Sequence, residues 1–228
     1  MSAAENFPVD AKIATAKKAT RQTIKRRLAE LAFNRADVAS RLFLNLERLP
    51  EFRAAETLGV YLDFGSEAPI RPFLPRLFDR PKRVVAVPRC VDRELEFYRL
   101  APPTFLSADA VPPNVDFVDV DAFSDARFSL VDLTLGAFGI WEPLPEPSRR
   151  VFPEAFDVVL VPGLAFDLNG GRLGRGAGFY DRFLAALPSK TRLIGVALDE
   201  QIVEKAPRDA FDLPVDALVT PSRTVVFG

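Results

Sequence analysis

Apolar positions recur along this chain with two different periods. Between Ala11 and Phe33, Ile24, Leu28 and Leu31 stand at helical spacing among basic residues. Ala36–Leu49 repeats that period through Val38, Leu42, Leu46 and Leu49, and Pro50 marks its end. Both stretches predict amphipathic helices. From Thr57 the pattern shortens to runs that read as strands: Thr57–Leu62, Arg83–Val87, Leu95–Leu100, Val158–Val161, Arg192–Ala197 and Thr224–Phe227. A short proline-marked helix is expected at Pro69–Phe78, and another at Phe179–Leu187. Strands interleaved with helices predict an α/β fold, a three-layer α/β/α domain with a mostly parallel sheet spanning residues 1–228. Met1–Asp10 reads as a loose tail. Residues 101–131 form a Pro/Asp-rich insertion to which no chemistry can be assigned; lid, oligomer contact and partly ordered segment all stay open.

The stretch Val158–Leu184, VVLVPGLAFDLNGGRLGRGAGFYDRFL, carries the strongest chemical signal. A buried strand ends at Pro162-Gly163. A glycine-dense loop follows, with Arg172 and Arg175 three apart, and Phe179 begins a helix. Free backbone N–H groups in such a loop, with the helix start behind them, suit a phosphate. Glycines allow close approach and arginines offer forked donors. An ordinary strand-to-helix turn with solvated arginines is the competing reading. The loop is neither a Walker A motif nor a dinucleotide GxGxxG.

Composition narrows the chemistry. Thirty basic and 31 acidic residues in 228 give a net charge of −1, so an anion site must be local, and neither a nucleic-acid nor a membrane partner is called for. The chain has no histidine and a single cysteine, Cys90. Ser-His-Asp catalysis, cysteine-cluster metal sites and intramolecular disulfides are thereby excluded. With no long apolar run or signal core, a cytoplasmic protein is the expectation; a monomer is expected, though no residue pattern speaks to the oligomeric state. Cys90 itself reads as a structural bystander at a strand end.

The run from Pro162 to Arg182, with Arg172-Leu-Gly174-Arg175-Gly176-Ala-Gly178-Phe179-Tyr180-Asp181-Arg182 at its centre, resembles the signature of the 5-formyltetrahydrofolate cyclo-ligases, or methenyltetrahydrofolate synthetases. That family usually reads RLGxGxGYYDR here, and Phe179 replaces the first tyrosine. Other segments agree. Lys17 and Arg21 match the cations of an N-terminal K-x-x-L-R, with Thr20 for leucine; four apart, they share a helix face. Leu62 and Glu67 match folate-contacting positions after the first strand, with Ile70 where threonine is usual. Gly139-Ile140-Trp141-Glu142-Pro143 resembles G-I-x-E-P, and Phe138 and Trp141 are candidates to stack on a pterin or to close a core edge. Phe211-Asp212-Leu-Pro-Val-Asp216 resembles the closing segment, with Phe211 for a common histidine. The insertion 101–131 is longer than the family's usual connection.

The resemblance implies a NagB/RpiA/CoA-transferase-like fold and ATP-dependent closure of 5-formyltetrahydrofolate to 5,10-methenyltetrahydrofolate, through a phosphorylated formyl intermediate. It implies phosphate contacts from Lys17, Arg21, Arg172, Gly174, Arg175, Gly176 and Gly178. Folate contacts fall on Leu62, Glu67, Phe138 and Tyr180, catalytic roles on Arg175 and Tyr180, and Mg2+ ligation on Asp181 and Asp212. ATP is the co-substrate. A non-catalytic folate- or nucleotide-binding relative, and a different ATP-dependent enzyme on the same scaffold, stand as alternatives. A nucleic-acid-binding role for the basic N-terminal helix is disfavoured by the balanced charge.

Overall fold

The computed structural model describes residues 11–102, 104–105, 128–129, 133–136 and 139–227. The expected tail, most of the 101–131 insertion and Phe138 lie outside the described residues.

An eight-stranded sheet forms the middle layer. Its strands are β1 (Thr57–Gly59), β2 (Val84–Val91), β3 (Glu94–Arg99), β4 (Arg150–Val151), β5 (Val158–Pro162), β6 (Arg192–Val196), β7 (Ala217–Val219) and β8 (Thr224–Val226). They are ordered β8-β7-β6-β5-β1-β2-β3-β4. The central run β7-β6-β5-β1-β2 is parallel, whereas β8, β3 and β4 attach antiparallel.

Burial on both faces explains the unbroken apolar strands. All five residues of β5 are buried, and side chains alternate across a strand. Val158 and Leu160 therefore enter one core with Ile24, Leu28, Leu42, Leu46 and Phe52. Val159 and Val161 enter the other, with Phe97, Phe156, Phe183 and Leu184. The first core packs helices α1 (Ala11–Ala29), α2 (Arg35–Leu46) and α3 (Pro50–Ala54) onto the sheet. The second packs α4 (Phe179–Ala185), where Phe183 stacks on Phe97 at 4.4 Å between centroids.

Several boundaries differ from the pattern-based expectation. Pro50 does not end α2, which stops at Leu46; it opens α3, where its missing N–H is harmless. The Asn34 carboxamide starts α2 by accepting the Ala36 and Asp37 amides at 2.9 and 3.2 Å. The strand at Arg83–Val87 runs on to Val91 because β3 pairs along its far half, through Val91↔Glu94. Cys90 is therefore inside β2 and not at its end.

The chain runs from β1 outward to β2, then returns at β5 and proceeds through β6 and β7 on the other side. The strand order thus reverses between β1 and β5. Ligands of open α/β sheets collect in the crevice beyond the carboxyl ends of such neighbours.

Candidate active site

That crevice is lined by the loops leaving β1 and β5. After Pro162 the chain makes an antiparallel pair, Ala165–Phe166 with Arg172–Leu173. Asp167, 2% exposed, closes its turn by accepting the Asn169 and Gly171 amides at 2.8 Å each, and takes the Ala206 amide at 2.8 Å as well. This turn delivers the glycine loop to the crevice. Gly176 and Gly178 have φ of +113° and +71°, a region that side chains strain to enter. Gly178 then caps α4. The amides of residues 175–178 donate to no other backbone group among the described residues. Helix α1 leans on the loop, with Arg21 Nε donating to the Gly174 carbonyl at 2.9 Å.

The two arginines of the loop have separate environments. Arg172 is 2% exposed, pairs with Asp181 and donates to the Pro162 carbonyl at 3.4 Å. Arg175 projects the other way, donating to Glu67 Oε1 at 2.9 Å and the Phe64 carbonyl at 3.2 Å. Lys17, on α1, is held between Asp209, at 2.7 Å, and Asp212. Burial works to lower the Lys17 ammonium, but the hydrogen bonds and charges of the two aspartates outweigh it and its pKa is raised. Asp209 is held below its ordinary value: burial opposes this, and the Lys17 hydrogen bond overcomes it.

These groups share a cavity of about 810 Å³. Its other wall is apolar and aromatic, with Leu62, Leu95, Ile140, Trp141 and Tyr180 among the lining side chains. Burial pushes the Glu67 carboxyl up, Arg175 and the Phe64 amide partly oppose it, and Asp63 adds to it. Burial likewise holds the Tyr180 hydroxyl well above its ordinary value, with Glu67 adding to the effect. The phenol therefore stays protonated at neutral pH. Two buried side-chain atoms among the described residues lack a hydrogen-bond partner, Tyr180 Oη and Arg172 Nε, and both residues line this cavity. An unpaired buried polar group is costly unless a ligand completes it.

A sequence model of the 5-formyltetrahydrofolate cyclo-ligase family matches residues 13–221. This chain belongs to the 5-formyltetrahydrofolate cyclo-ligase family. The 5-formyltetrahydrofolate cyclo-ligase of Escherichia coli K12 is 33% identical over 176 residues, covering 76% of this chain and 82% of that protein. The cyclo-ligase of Mycolicibacterium smegmatis is 41% identical over 96 residues, covering 41% of this chain and 48% of that one. Among solved structures, Aquifex aeolicus 5,10-methenyltetrahydrofolate synthetase superposes with a TM-score of 0.69 at 31% identity, covering 92% of each chain. The Mycoplasma pneumoniae synthetase, at 17% identity and TM-score 0.62, covers 90% of this chain and 98% of that one and shares the fold.

Of the residues that the cyclo-ligase resemblance singles out, Lys17, Arg21, Leu62, Glu67, Arg172, Gly174, Arg175, Gly176, Gly178, Tyr180, Asp181 and Asp212 all line the one cavity. Trp141 lines it too. Ile70, the departure from the family's threonine, is fully buried in the core and does not reach it. Sequence reasoning passed over Asp209, which joins Lys17 across 192 positions and carries no local motif. It also passed over Tyr61, Phe64 and Glu142 as cavity residues, and gave Cys90 no place there. The Cys90 thiol is pushed up to about 11 by burial and by Glu142, which suits an inert wall group.

Proposed function

We propose that this chain converts 5-formyltetrahydrofolate to 5,10-methenyltetrahydrofolate with ATP becoming ADP and phosphate. The observation that carries this reading is the convergence, in one cavity at the β1/β5 reversal, of a cationic glycine loop with an apolar, aromatic wall. The first suits a triphosphate and the second a pterin ring.

The formyl group on nitrogen is an amide, and its oxygen is a poor leaving group. Its oxygen attacks the terminal phosphorus of ATP, the bond to the ADP oxygen breaks, and an iminophosphate results. The neighbouring folate amine then adds to the formyl carbon, gives up its proton, and the carbon–oxygen bond breaks with release of phosphate. Such transfers depend on positioning and on neutralising charge. Lys17, Arg21, Arg172 and Arg175, with the amides of the 174–178 loop, would hold the phosphates. Leu62 and Glu67 orient the folate. The Tyr180 hydroxyl, protonated, buried and without a hydrogen-bond partner among the described residues, would donate to a ligand oxygen once substrate entry opens it.

Among the described residues no three acidic or cysteine side chains cluster to hold a metal. The donor set still fits Mg2+ that arrives with the nucleotide, since this ion needs only one or two carboxylates beside phosphate oxygens and water. Asp181 and Asp212 would supply them, and the ion would neutralise phosphate charge. Both residues line the cavity, and each carboxylate already faces a protein cation, Arg172 and Lys17 respectively.

The test is to mix the purified protein with 5-formyltetrahydrofolate, Mg2+ and ATP and follow the long-wavelength absorbance of the methenyl product. An ATP-dependent rise that falls a hundredfold or more in Arg175→Ala, on the scale of removing one charge-stabilising donor, supports the proposal. Binding of both ligands without any rise would favour a non-catalytic relative.

A further inference from the structure

The cations of the cavity differ in where their partners sit. Lys17 meets Asp209 and Asp212, Arg21 meets the Gly174 carbonyl, and Arg172 meets Asp181. Arg175 instead leaves the glycine loop and ties it to the loop after β1. Its Nε donates to Glu67 Oε1 at 2.9 Å and its Nη2 to the Phe64 carbonyl at 3.2 Å.

The two ends of this tie are unequally anchored. Glu67 Oε2 accepts the Phe64 amide at 3.0 Å, and the Tyr61 hydroxyl donates to the Ala68 carbonyl at 2.8 Å. Asp63 fixes the base of the loop, accepting the Ile70 and Arg71 amides at 2.9 and 2.7 Å and pairing with Arg35 and Arg71. Arg175 stands between two glycines, and its side chain is 41% exposed against 13% for Glu67. The arginine is the end that can swing. Around Glu67 stand Arg175, Asp63 of like charge, and the hydroxyls of Tyr61 and Tyr180, so Arg175 is its counter-ion.

The Nε/Nη2 edge of the guanidinium is occupied by Glu67 and Phe64, so a phosphate that takes this edge side-on must displace them. We propose that the Arg175–Glu67 pair couples the two substrate sites: the nucleotide draws Arg175 away from Glu67, and the released carboxylate becomes the acceptor for the N–H groups of the pterin. This rests on the assignment of nucleotide and folate to this cavity. Without nucleotide, folate must compete with Arg175 for the carboxylate. With nucleotide bound, it does not. Linkage makes the effect reciprocal, so each ligand tightens the other by the same factor.

Calorimetric titration with the β,γ-imido analogue of ATP and Mg2+ tests this on wild type, Glu67→Gln, Arg175→Ala and the double variant. Glu67→Gln keeps the side-chain shape but removes the ion pair that the nucleotide must break. It should tighten the analogue by about three- to tenfold, the range of weak to moderate ion-pair coupling, and should have no such effect in the Arg175→Ala background. In wild type the analogue should tighten 5-formyltetrahydrofolate by a similar factor. Equal tightening by Glu67→Gln in both backgrounds would mean that net charge alone acts, and would overturn the coupling. So would no change in either. A wild type that binds neither ligand fails the functional proposal itself, an outcome distinct from intact binding with no interaction between the sites.

Discussion

Replacing Asp181 with alanine removes the carboxylate facing a buried arginine. The Arg172 side chain is 2% exposed and that of Asp181 26%. After the substitution the remaining acceptor for the guanidinium among the described residues is the Pro162 carbonyl at 3.4 Å, and Nε already has none there. Leaving one member of a buried ion pair behind costs about 3–5 kcal/mol. Here the stranded charge borders a cavity that water can enter, so about 2–4 kcal/mol is the expected loss. The mirror substitution, Arg172→Met, strands an aspartate that is a quarter exposed and can rehydrate, for a loss of about 1–2 kcal/mol. Asp181→Asn keeps an acceptor oxygen and should fall between wild type and Asp181→Ala. Urea denaturation of the four proteins at neutral pH gives the ranking. Asp181→Ala within about 0.5 kcal/mol of wild type, the usual range of a neutral surface change, or Arg172→Met costing more than Asp181→Ala, would refute the reasoning. A loss of turnover in Asp181→Ala therefore identifies a metal ligand only when the stability loss is measured beside it.

Tyr180→Phe removes a buried hydroxyl with no partner among the described residues. Stability should hold or rise by up to about 1 kcal/mol while turnover falls tenfold or more, and a stability loss above that size without a turnover change would contradict the ligand-facing role. Asp63→Ala strips the acceptor from two amides and from two arginines that are exposed enough to rehydrate; a loss of about 2–4 kcal/mol, mostly from the amides, is expected by chemical denaturation, and an unchanged midpoint would count against it. Gly195→Ala places a Cβ 2.7 Å from the Phe166 ring, and overpacking of this kind should cost about 1–3 kcal/mol in a thermal or urea melt. For the Lys17–Asp209 pair the signs differ at the two ends of the pH scale. Asp209, lowered from 3.8, contributes stability above that value that is lost as pH falls through its folded pKa; Lys17, raised from 10.5, contributes stability below that value that is lost as pH rises through its own. Lys17→Met should flatten the stability profile at both ends, and a profile unchanged at either end would break the argument there.

Much of this site was legible because it is local in sequence. The glycine loop, Arg172, Arg175, Tyr180 and Asp181 lie within one strand-loop-helix unit, and unbroken apolar runs such as Val158–Val161 announced strands buried on both faces. What could not be read depends on distant partners. Nothing near Asp209 signals Lys17, and nothing near Glu67 signals Arg175, 108 positions away. The two loop arginines look equivalent by spacing, yet the Asp167-closed turn buries Arg172 and leaves Arg175 to reach across to the next loop. Strand ends were misjudged where neighbours decide them. β2 continues through Pro88 because its parallel partner stops opposite Ala86 and β3 pairs with the rest. β4, two residues long, is too short for alternation to show.

The most direct measurement of the central claim follows the formyl oxygen. 5-Formyltetrahydrofolate carrying 18O in that group is incubated with the protein, Mg2+ and ATP, and the inorganic phosphate is analysed by mass. Attack of the formyl oxygen on the terminal phosphorus predicts one 18O in each phosphate released, matched one for one by methenyl product. Phosphate without the label, formed alongside methenyl product, would contradict the proposed route.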